Sequence, residues 1–188
     1  MLRLEPIKRT DPRILADMAV HYSQPKGFVG RNICYAITYD GVYYGAIVGG
    51  SSTLHLVGRD SFFGIVKPEK KANLRCIVNN IFFHIEKRSD RYPVRNMTST
   101  VLRMFRELIA IDWLDKYGDS VIGFESLVEL PRTGDAYKRD GWVEVGITVG
   151  NTCKRISSKN RHRTDSWTGQ RVWDTKNLRP KRVFVRHK

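Results

Sequence analysis

Cysteine is scarce in this sequence, and no apolar run is long enough to span a membrane. Only three of the 188 residues are cysteines. Cys34, Cys76 and Cys153 form an odd set that cannot pair completely, and no two of them have the Cys-x-x-Cys spacing. The chain also has no charged-then-apolar leader for secretion. We therefore expect a protein of the reducing cytoplasm that makes no contact with a membrane.

Acidic residues are also few, which leaves a large positive charge. Asp and Glu number 19 against 33 Lys and Arg, so the formal net charge is +14. Between Lys154 and Lys188, twelve basic residues stand against two acidic ones, and this segment therefore carries +10 of that charge. Trp167 and Trp173 interrupt the run. This pattern favours nucleic acid as the partner. The alternatives are a solvated tail and a different acidic partner.

Hydrophobic periodicity predicts strands and helices that alternate in a single α/β (α+β) domain. We expect helices at 12–21, 67–80, 92–118 and 132–141, the second of them ending at Asn79-Asn80. We expect strands at 2–7, 32–39, 42–50, 81–87, 121–130, 142–150 and 182–186. The alternative for residues 81–87 is a continuation of the preceding helix. Asp40-Gly41 is a two-residue turn signal and makes the second and third strands a hairpin. The central sheet is therefore mixed and flanked by helices.

Polar residues precede the longest predicted helix. Its first turn and the residues before it contain Arg95, Asn96, Thr98 and Ser99. A helix N-terminus carries unpaired N–H groups and the positive end of the dipole, so it is suited to a phosphate or pyrophosphate group. The alternative is an ordinary capping loop.

Two further pairs of residues are candidates for chemistry. His84 and Glu86 lie two apart on a predicted strand and therefore on one side of it, which suits two ligands of one cation or, alternatively, a His–Glu pair at a strand end. Glu125, next to Ser126, lies among apolar residues. A carboxylate in such surroundings needs a partner or acquires a raised pKa, as a general base does.

The stretch GDAYKRDGWVEVG resembles the last motif of the GNAT acyltransferase superfamily, and the preceding order of elements matches that family. The resemblance implies that Tyr137 lies near the sulfur of a coenzyme A thioester and can protonate the leaving thiolate. The family loop is of the Arg/Gln-x-x-Gly-x-Gly/Ala type, whereas RNMTST has no glycine. The donor is therefore expected to be acetyl-CoA or another activated group donor.

Several longer blocks, taken in order, resemble the Mom DNA-modification proteins of phage Mu and related phages. These blocks are HYSQPKGFVGRNICY, NNIFFHIEK, YPVRN, VIGFESLVELPRTGDAYKRDGW and the basic tail. The resemblance implies a GNAT-like catalytic domain at 1–153 and a basic segment at 154–188 that completes the sheet and contacts double-stranded DNA. It also implies iron, and a carbamoylmethyl (acetamido) group placed on N6 of adenine, which protects phage DNA from restriction in the bacterial host.

The loop after the first helix would border the acceptor site in such an arrangement. His21 and Tyr22 are then expected to act as a metal ligand, a proton carrier or a stacking surface for adenine. The alternative for His21 is a helix C-cap that interacts with the dipole. The resemblance and the pattern together assign metal binding to His21, His84 and Glu86, and catalysis to His21, Tyr22, Glu125, Ser126 and Tyr137. Expected DNA contacts are Lys26, Arg31, Tyr39, Arg161, Arg163, Trp167, Arg171, Trp173, Lys181 and Arg182.

Two other functions stay open at this point. The chain could be a GNAT-type acetyltransferase that uses acetyl-CoA on another amine, or a DNA-binding protein without catalytic activity. Adenine N6 lies inside a stacked duplex, so an enzyme acting on it would be expected to flip the base. Dimerisation through a sheet edge is compatible with the sequence.

Overall fold

Seven strands form one mixed sheet in the computed structural model, which describes residues 1–23, 25–86, 92–148 and 179–188. The spatial order is β1-β2-β3-β4-β5-β7-β6. Neighbouring strands are antiparallel except for β4 and β5, which are parallel. The strands are β1 (Leu2–Ile7), β2 (Asn32–Tyr39), β3 (Val42–Ser51), β4 (Ile77–Ile85), β5 (Gly123–Glu129), β6 (Val143–Thr148) and β7 (Lys181–His187).

Helices cover both faces of the sheet. They are α1 (Pro12–Val20), α2 (Val57–Phe62), α3 (Lys70–Arg75), α4 (Met97–Tyr117) and α5 (Asp135–Arg139). The main core lies between α4 and one face, and smaller clusters lie under α1 and α2 on the other. Over the residues that the structure describes, no helix has the length and apolar character needed to span a membrane.

The longest predicted helix was confirmed as α4, and its pattern of burial shows why. Val101, Phe105, Ile109 and Trp113 recur at a spacing of four residues, and each is at most 1% exposed. The spacing places them on one face of the helix, and burial of this face in the main core stabilises it. Gly118 ends the helix in the left-handed conformation, with φ of 71°.

The helix predicted at 67–80 was partly wrong. Only Lys70–Arg75 is helical, and β4 already begins at Ile77. Ile77 and Val78 are both fully buried but belong to different clusters on opposite faces of the sheet. An alternating pattern of burial requires a strand, and this tertiary packing outweighs the helical spacing of the apolar residues. Helix α2 was not predicted.

The parallel strands β4 and β5 separate part of the way along their length. They are paired from Ile77–Gly123 to Asn80–Ser126, and both strands continue beyond that point. On its other side, β4 has an extra residue at Ile81, where the register with β3 shifts. Such a bulge bends a strand, and here the two strands part immediately after it. An opening therefore forms in the sheet, at the end where α4 begins.

Strand β7 lies inside the sheet, between β5 and β6. Its residues Lys181 to His187 pair with Glu129 to Gly123 of β5, and Lys181 to Val185 pair with β6. Phe184 and Val185 are fully buried on opposite faces. The last residues of the basic segment are therefore part of the same sheet as residues 1–148.

Candidate active site

A cleft of about 740 Å³ occupies the opening between β4 and β5. Four residues predicted to be catalytic line it: His21, Tyr22, Ser126 and Tyr137. The remaining walls come from β4, from the loop between β5 and α5, and from Lys181 at the start of β7. The structure thus brings together four of the five residues assigned to catalysis.

A depression of similar size, about 840 Å³, lies at the opposite end of the sheet. It contains Asp112, whose carboxylate accepts a hydrogen bond from Tyr35 at 2.6 Å, and Lys116, whose ammonium is 3.1 Å from the carbonyl oxygen of Asn32. Both of these groups are therefore already hydrogen-bonded within the fold, and none of the residues predicted to be catalytic lines this depression. We therefore place the candidate site in the cleft between β4 and β5.

Tyr137 of α5 is buried at the base of the cleft. Its hydroxyl donates a hydrogen bond to Oδ1 of Asn80 at 2.7 Å and lies 3.0 Å from the hydroxyl of Ser126. Its ring stacks on Phe184, with centroids 5.4 Å apart and planes 14° from parallel. Burial raises the pKa of Tyr137, while the Ser126 hydrogen bond acts to lower it. The phenol is therefore protonated at neutral pH.

Asn80 fixes the orientation of this phenol, and sequence reasoning missed its role. The Asn80 amide nitrogen donates to the carbonyl oxygens of Val48 and Phe82, both at 3.3 Å. These bonds span the bulge in β4 and leave Oδ1 directed at Tyr137. The sequence signal was present, but we interpreted Asn79-Asn80 as the end of a helix rather than as the middle of a strand.

Gly134 allows α5 to approach β7 closely. It precedes the helix in the left-handed conformation, with φ of 72°. A Cβ atom at this position would lie 2.3 Å from the ring of Phe184, which also supports Tyr137. Any other residue at this position would therefore strain the backbone and displace the aromatic stack.

His21 connects the loop after α1 to the cleft. Its backbone N–H bonds to Asp17 at the end of α1, as the capping alternative requires. Its Nδ1 accepts the backbone N–H of Ser23 at 3.3 Å and lies 2.8 Å from the Ser23 hydroxyl. Burial lowers the pKa of His21 to about 4, and nearby His84 and Arg132 lower it further, against a hydrogen bond to the Phe83 carbonyl. His21 is therefore a neutral imidazole at pH 7.

The ring of Tyr22 is covered on both sides. The guanidinium carbon of Arg132 lies 3.4 Å from the ring centroid, and the His21 ring lies 4.2 Å from it. Two groups that close cannot share one face of a ring, so they occupy opposite faces. The side chain nevertheless remains 38% exposed, so stacking of Tyr22 on an adenine stays a prediction.

Glu125 is not part of the cleft, contrary to prediction. It points to the opposite face of the sheet from Ser126, where it forms an ion pair with Arg59 while both side chains are fully buried. Its carboxylate also accepts the Ser52 hydroxyl at 2.8 Å and the Thr53 N–H at 2.6 Å. Burial raises the pKa of Glu125, and Arg59 opposes that rise. An acceptor in the cleft could not reach this carboxylate.

The predicted metal site is not supported. The rings of His21 and His84 are 5.9 Å apart, and Nε2 of His84 lies 4.0 Å from a carboxylate oxygen of Asp17. Glu86 follows the end of β4. Within the described ranges, no group of three or more His, Cys, Asp or Glu side chains could hold a metal ion. We therefore assign no step to iron.

The candidate cofactor residues lie at the N-terminus of α4. Asn96 is the N-cap in the left-handed conformation, with φ of 57°, and its side chain makes no capping bond. Ser99 donates its hydroxyl hydrogen bond to the Asn96 carbonyl at 3.0 Å. Arg95 and Asn96 are exposed, and Thr98 is half-buried. None of the four lines the cleft itself, but α4 begins at the end of the sheet where the cleft opens.

The predicted DNA contacts are scattered. Lys181 lines the cleft, whereas Lys26 is exposed on the loop after α1 and Tyr39 lies at the β2–β3 turn. Arg31 forms an ion pair with Asp119 at the other end of the sheet, and Arg182 bonds to Glu144 at 2.6 Å, so both of these charges are already paired. Outside the described residues lie Arg161, Arg163, Trp167, Arg171 and Trp173.

Comparison with known proteins gave matches at the level of structure. No protein-family model matches the sequence, and no curated protein matches it. A GNAT family acetyltransferase from Elizabethkingia anophelis with acetyl-CoA bound has a TM-score of 0.57 at 9% identity, over 100% of this chain and 98% of that chain. The IAA acetyltransferase from Bacillus cereus has a TM-score of 0.55 at 12% identity, over 100% of both chains.

A third solved structure, the acetyltransferase of GNAT family from Streptococcus pneumoniae, has a TM-score of 0.54 at 13% identity, over 100% of both chains. Identities this low establish similarity of fold. The chain has the fold of the GNAT acetyltransferases.

Proposed function

We propose that this protein transfers an acyl group from a coenzyme A thioester to an amine, with the reaction taking place in the cleft between β4 and β5. The observation that carries the proposal is the position of Tyr137. Its hydroxyl stands at the base of an open cleft, held by Asn80 and Ser126. In the GNAT superfamily that the sequence resembles, the tyrosine of this motif lies near the thioester sulfur.

The start of α4 fits the phosphate end of such a donor. The N–H groups in the first turn of a helix lack intrahelical partners, and the Asn96 side chain does not cap them here. Asn96 adopts the left-handed conformation, which asparagine tolerates better than most residues other than glycine, so the chain can turn here without a glycine. Arg95 would add a positive charge beside these groups. The residues present therefore suit a pyrophosphate, although the loop lacks the family glycines.

Tyr137 is suited to the role of general acid. In such a transfer the acceptor nitrogen would bond to the thioester carbonyl carbon as the carbon–sulfur bond breaks. Tyr137 would protonate the departing thiolate, and the proton that the amine loses would restore the phenol. The raised pKa of Tyr137 keeps its proton in place at neutral pH. In the resting state this proton points at Asn80, so the hydroxyl must rotate to deliver it to a thiolate, while Ser126 can donate to the phenol oxygen. We assign His21 to holding the loop against β4, because it bonds to the Phe83 backbone of that strand while its Nδ1 is engaged by Ser23.

The acceptor we propose is the exocyclic amine of adenine in DNA. Support comes from the resemblance to the Mom proteins, the net charge of +14 and the position of Lys181 in the cleft. Acetyl transfer would give N6-acetyladenine, whereas the carbamoylmethyl group that the resemblance implies is bonded to N6 through its CH2 carbon, so it would require an alkyl donor in place of a thioester. The two products differ in composition, so the product identifies the donor.

A two-part experiment tests the proposal. Purified protein is incubated with acetyl-CoA and either duplex DNA or a panel of small amines, and release of free thiol is followed. Nucleosides from DNA of expressing cells are analysed by mass spectrometry. Thiol release that requires an amine supports acyl transfer, and a modified adenosine supports DNA as the acceptor. Absence of thiol release with every acceptor, together with unmodified DNA, would contradict the proposal.

A further inference from the structure

An arginine that has no ion-pair partner among the described residues stands at the mouth of the cleft. Arg132 lies in the loop between β5 and α5, and its guanidinium is stacked against Tyr22 with its carbon 3.4 Å from the ring centroid. Its backbone N–H bonds to Glu129, but no acceptor in the described part of the chain bonds to the guanidinium. The flat contact holds the group in place and leaves its N–H donors, which lie in the guanidinium plane, available.

A second cation lines the same cleft. Lys181 is half-buried at the start of β7, and within the described ranges its ammonium forms neither an ion pair nor a hydrogen bond. The neighbouring carboxylate, Glu129, lies 3.5 Å from Arg179 and is therefore partly neutralised. Asp135 also lines the cleft and is exposed. Arg182, the next residue along, is by contrast paired with Glu144.

We propose that Arg132, held against Tyr22, forms an anion subsite with Lys181 that binds a phosphate group at the mouth of the cleft. A planar guanidinium fork binds two phosphate oxygens at once, and a lysine adds a point charge. Tyr22 contacts both His21 and Arg132, and this packing orients the guanidinium before the ligand binds. Less side-chain entropy is therefore lost on binding. Sequence reasoning did not single out Arg132.

The phosphate could belong to the acceptor or to the donor. A phosphodiester beside an adenine and the phosphates of coenzyme A present the same chemistry. The choice of these two ligands rests on the proposed function, but the assay is a binding measurement that requires no turnover. A protein that proved inactive could therefore still confirm or overturn the subsite.

Two probes separate the sources. Binding of a fluorescein-labelled DNA duplex is measured by anisotropy over a range of salt concentrations, and binding of coenzyme A by calorimetry. The variants are Arg132→Gln, Lys181→Gln, Tyr22→Ala and Tyr22→Phe, and the control is Arg103→Gln, an exposed arginine on α4. Thermal melts confirm that each full-length variant is folded.

We expect Arg132→Gln to weaken one probe by about 10-fold and, for DNA, to reduce the slope of log K against log salt by about one. Tyr22→Ala should reproduce this loss and Tyr22→Phe should not, because phenylalanine retains the stacking face. A loss confined to DNA assigns the subsite to the acceptor, and a loss confined to coenzyme A assigns it to the donor. If Arg132→Gln matches Arg103→Gln with both probes, the subsite does not exist.

Discussion

Glu125 and Ser126 are adjacent on β5, yet they point to opposite faces of the sheet and have unrelated surroundings. Ser126 lies in the cleft, 3.0 Å from the Tyr137 hydroxyl. Glu125 is fully buried on the far side against Arg59. The alternation of side chains in a strand therefore separates a residue that can influence chemistry from one that stabilises the fold.

The Arg59–Glu125 pair predicts an asymmetric response to mutation. Arg59→Met should cost about 3–5 kcal/mol in the free energy of unfolding, because it leaves a buried carboxylate without its cation. The double variant Arg59→Met/Glu125→Leu should recover much of that loss. Urea unfolding measures both. Equal destabilisation of the single and double variants would mean that the pair is not coupled as the structure indicates.

Tyr137→Phe should reduce kcat by about 100-fold, the lower range for loss of a general acid, and should cost about 1–3 kcal/mol in stability, because the buried Oδ1 of Asn80 loses its donor. Steady-state thiol release measures it. Tyr35→Phe is the matched control, because it also removes a hydroxyl that donates to a side chain at short distance, here Asp112 at 2.6 Å, but far from the cleft. Full activity in Tyr137→Phe would remove the phenol from the mechanism.

Asn80→Ala should affect both stability and activity. It removes the acceptor of the buried Tyr137 hydroxyl, at about 1–3 kcal/mol, and it takes one donor from each of the Val48 and Phe82 carbonyls. Asn79→Ala is the neighbouring control, since Asn79 points to the other face and bonds only to Thr53 at 3.2 Å among the described residues. We expect the larger loss of stability, and the only loss of kcat, in Asn80→Ala. Equal losses in the two variants would contradict the role of Asn80.

Local sequence patterns predicted most of the helices and strands but not the buried side-chain contacts between them. The spacing of apolar residues along α4 and the turn at Asp40-Gly41 depend only on residues close together in the sequence, so both were predictable. Arg59 lies in an unpredicted helix and is 66 positions from Glu125 in the chain. No residue near Glu125 in the sequence indicates that an arginine pairs with it. Its apolar neighbours instead favoured the interpretation that Glu125 is a general base. Asn80 was missed for a related reason, because the bulge that gives it a role exists only once β3 and β4 are paired.

The last prediction concerns His21 and pH. Burial lowers its pKa from 6.5 to about 4 in the folded protein, so the unfolded chain binds this proton more readily. The resulting stabilisation is complete above about pH 6.5 and is lost as the pH falls toward 4, by roughly 3 kcal/mol for a shift of this size.

Other groups also respond to acid, but His21→Gln removes only this contribution. The melting temperature of the unmodified protein should therefore fall more steeply between these pH values than that of His21→Gln. His55→Gln is the control, because His55 is exposed, and it should follow the unmodified protein. Parallel curves for all three proteins would show that His21 is protonated as easily in the folded state as in the unfolded one.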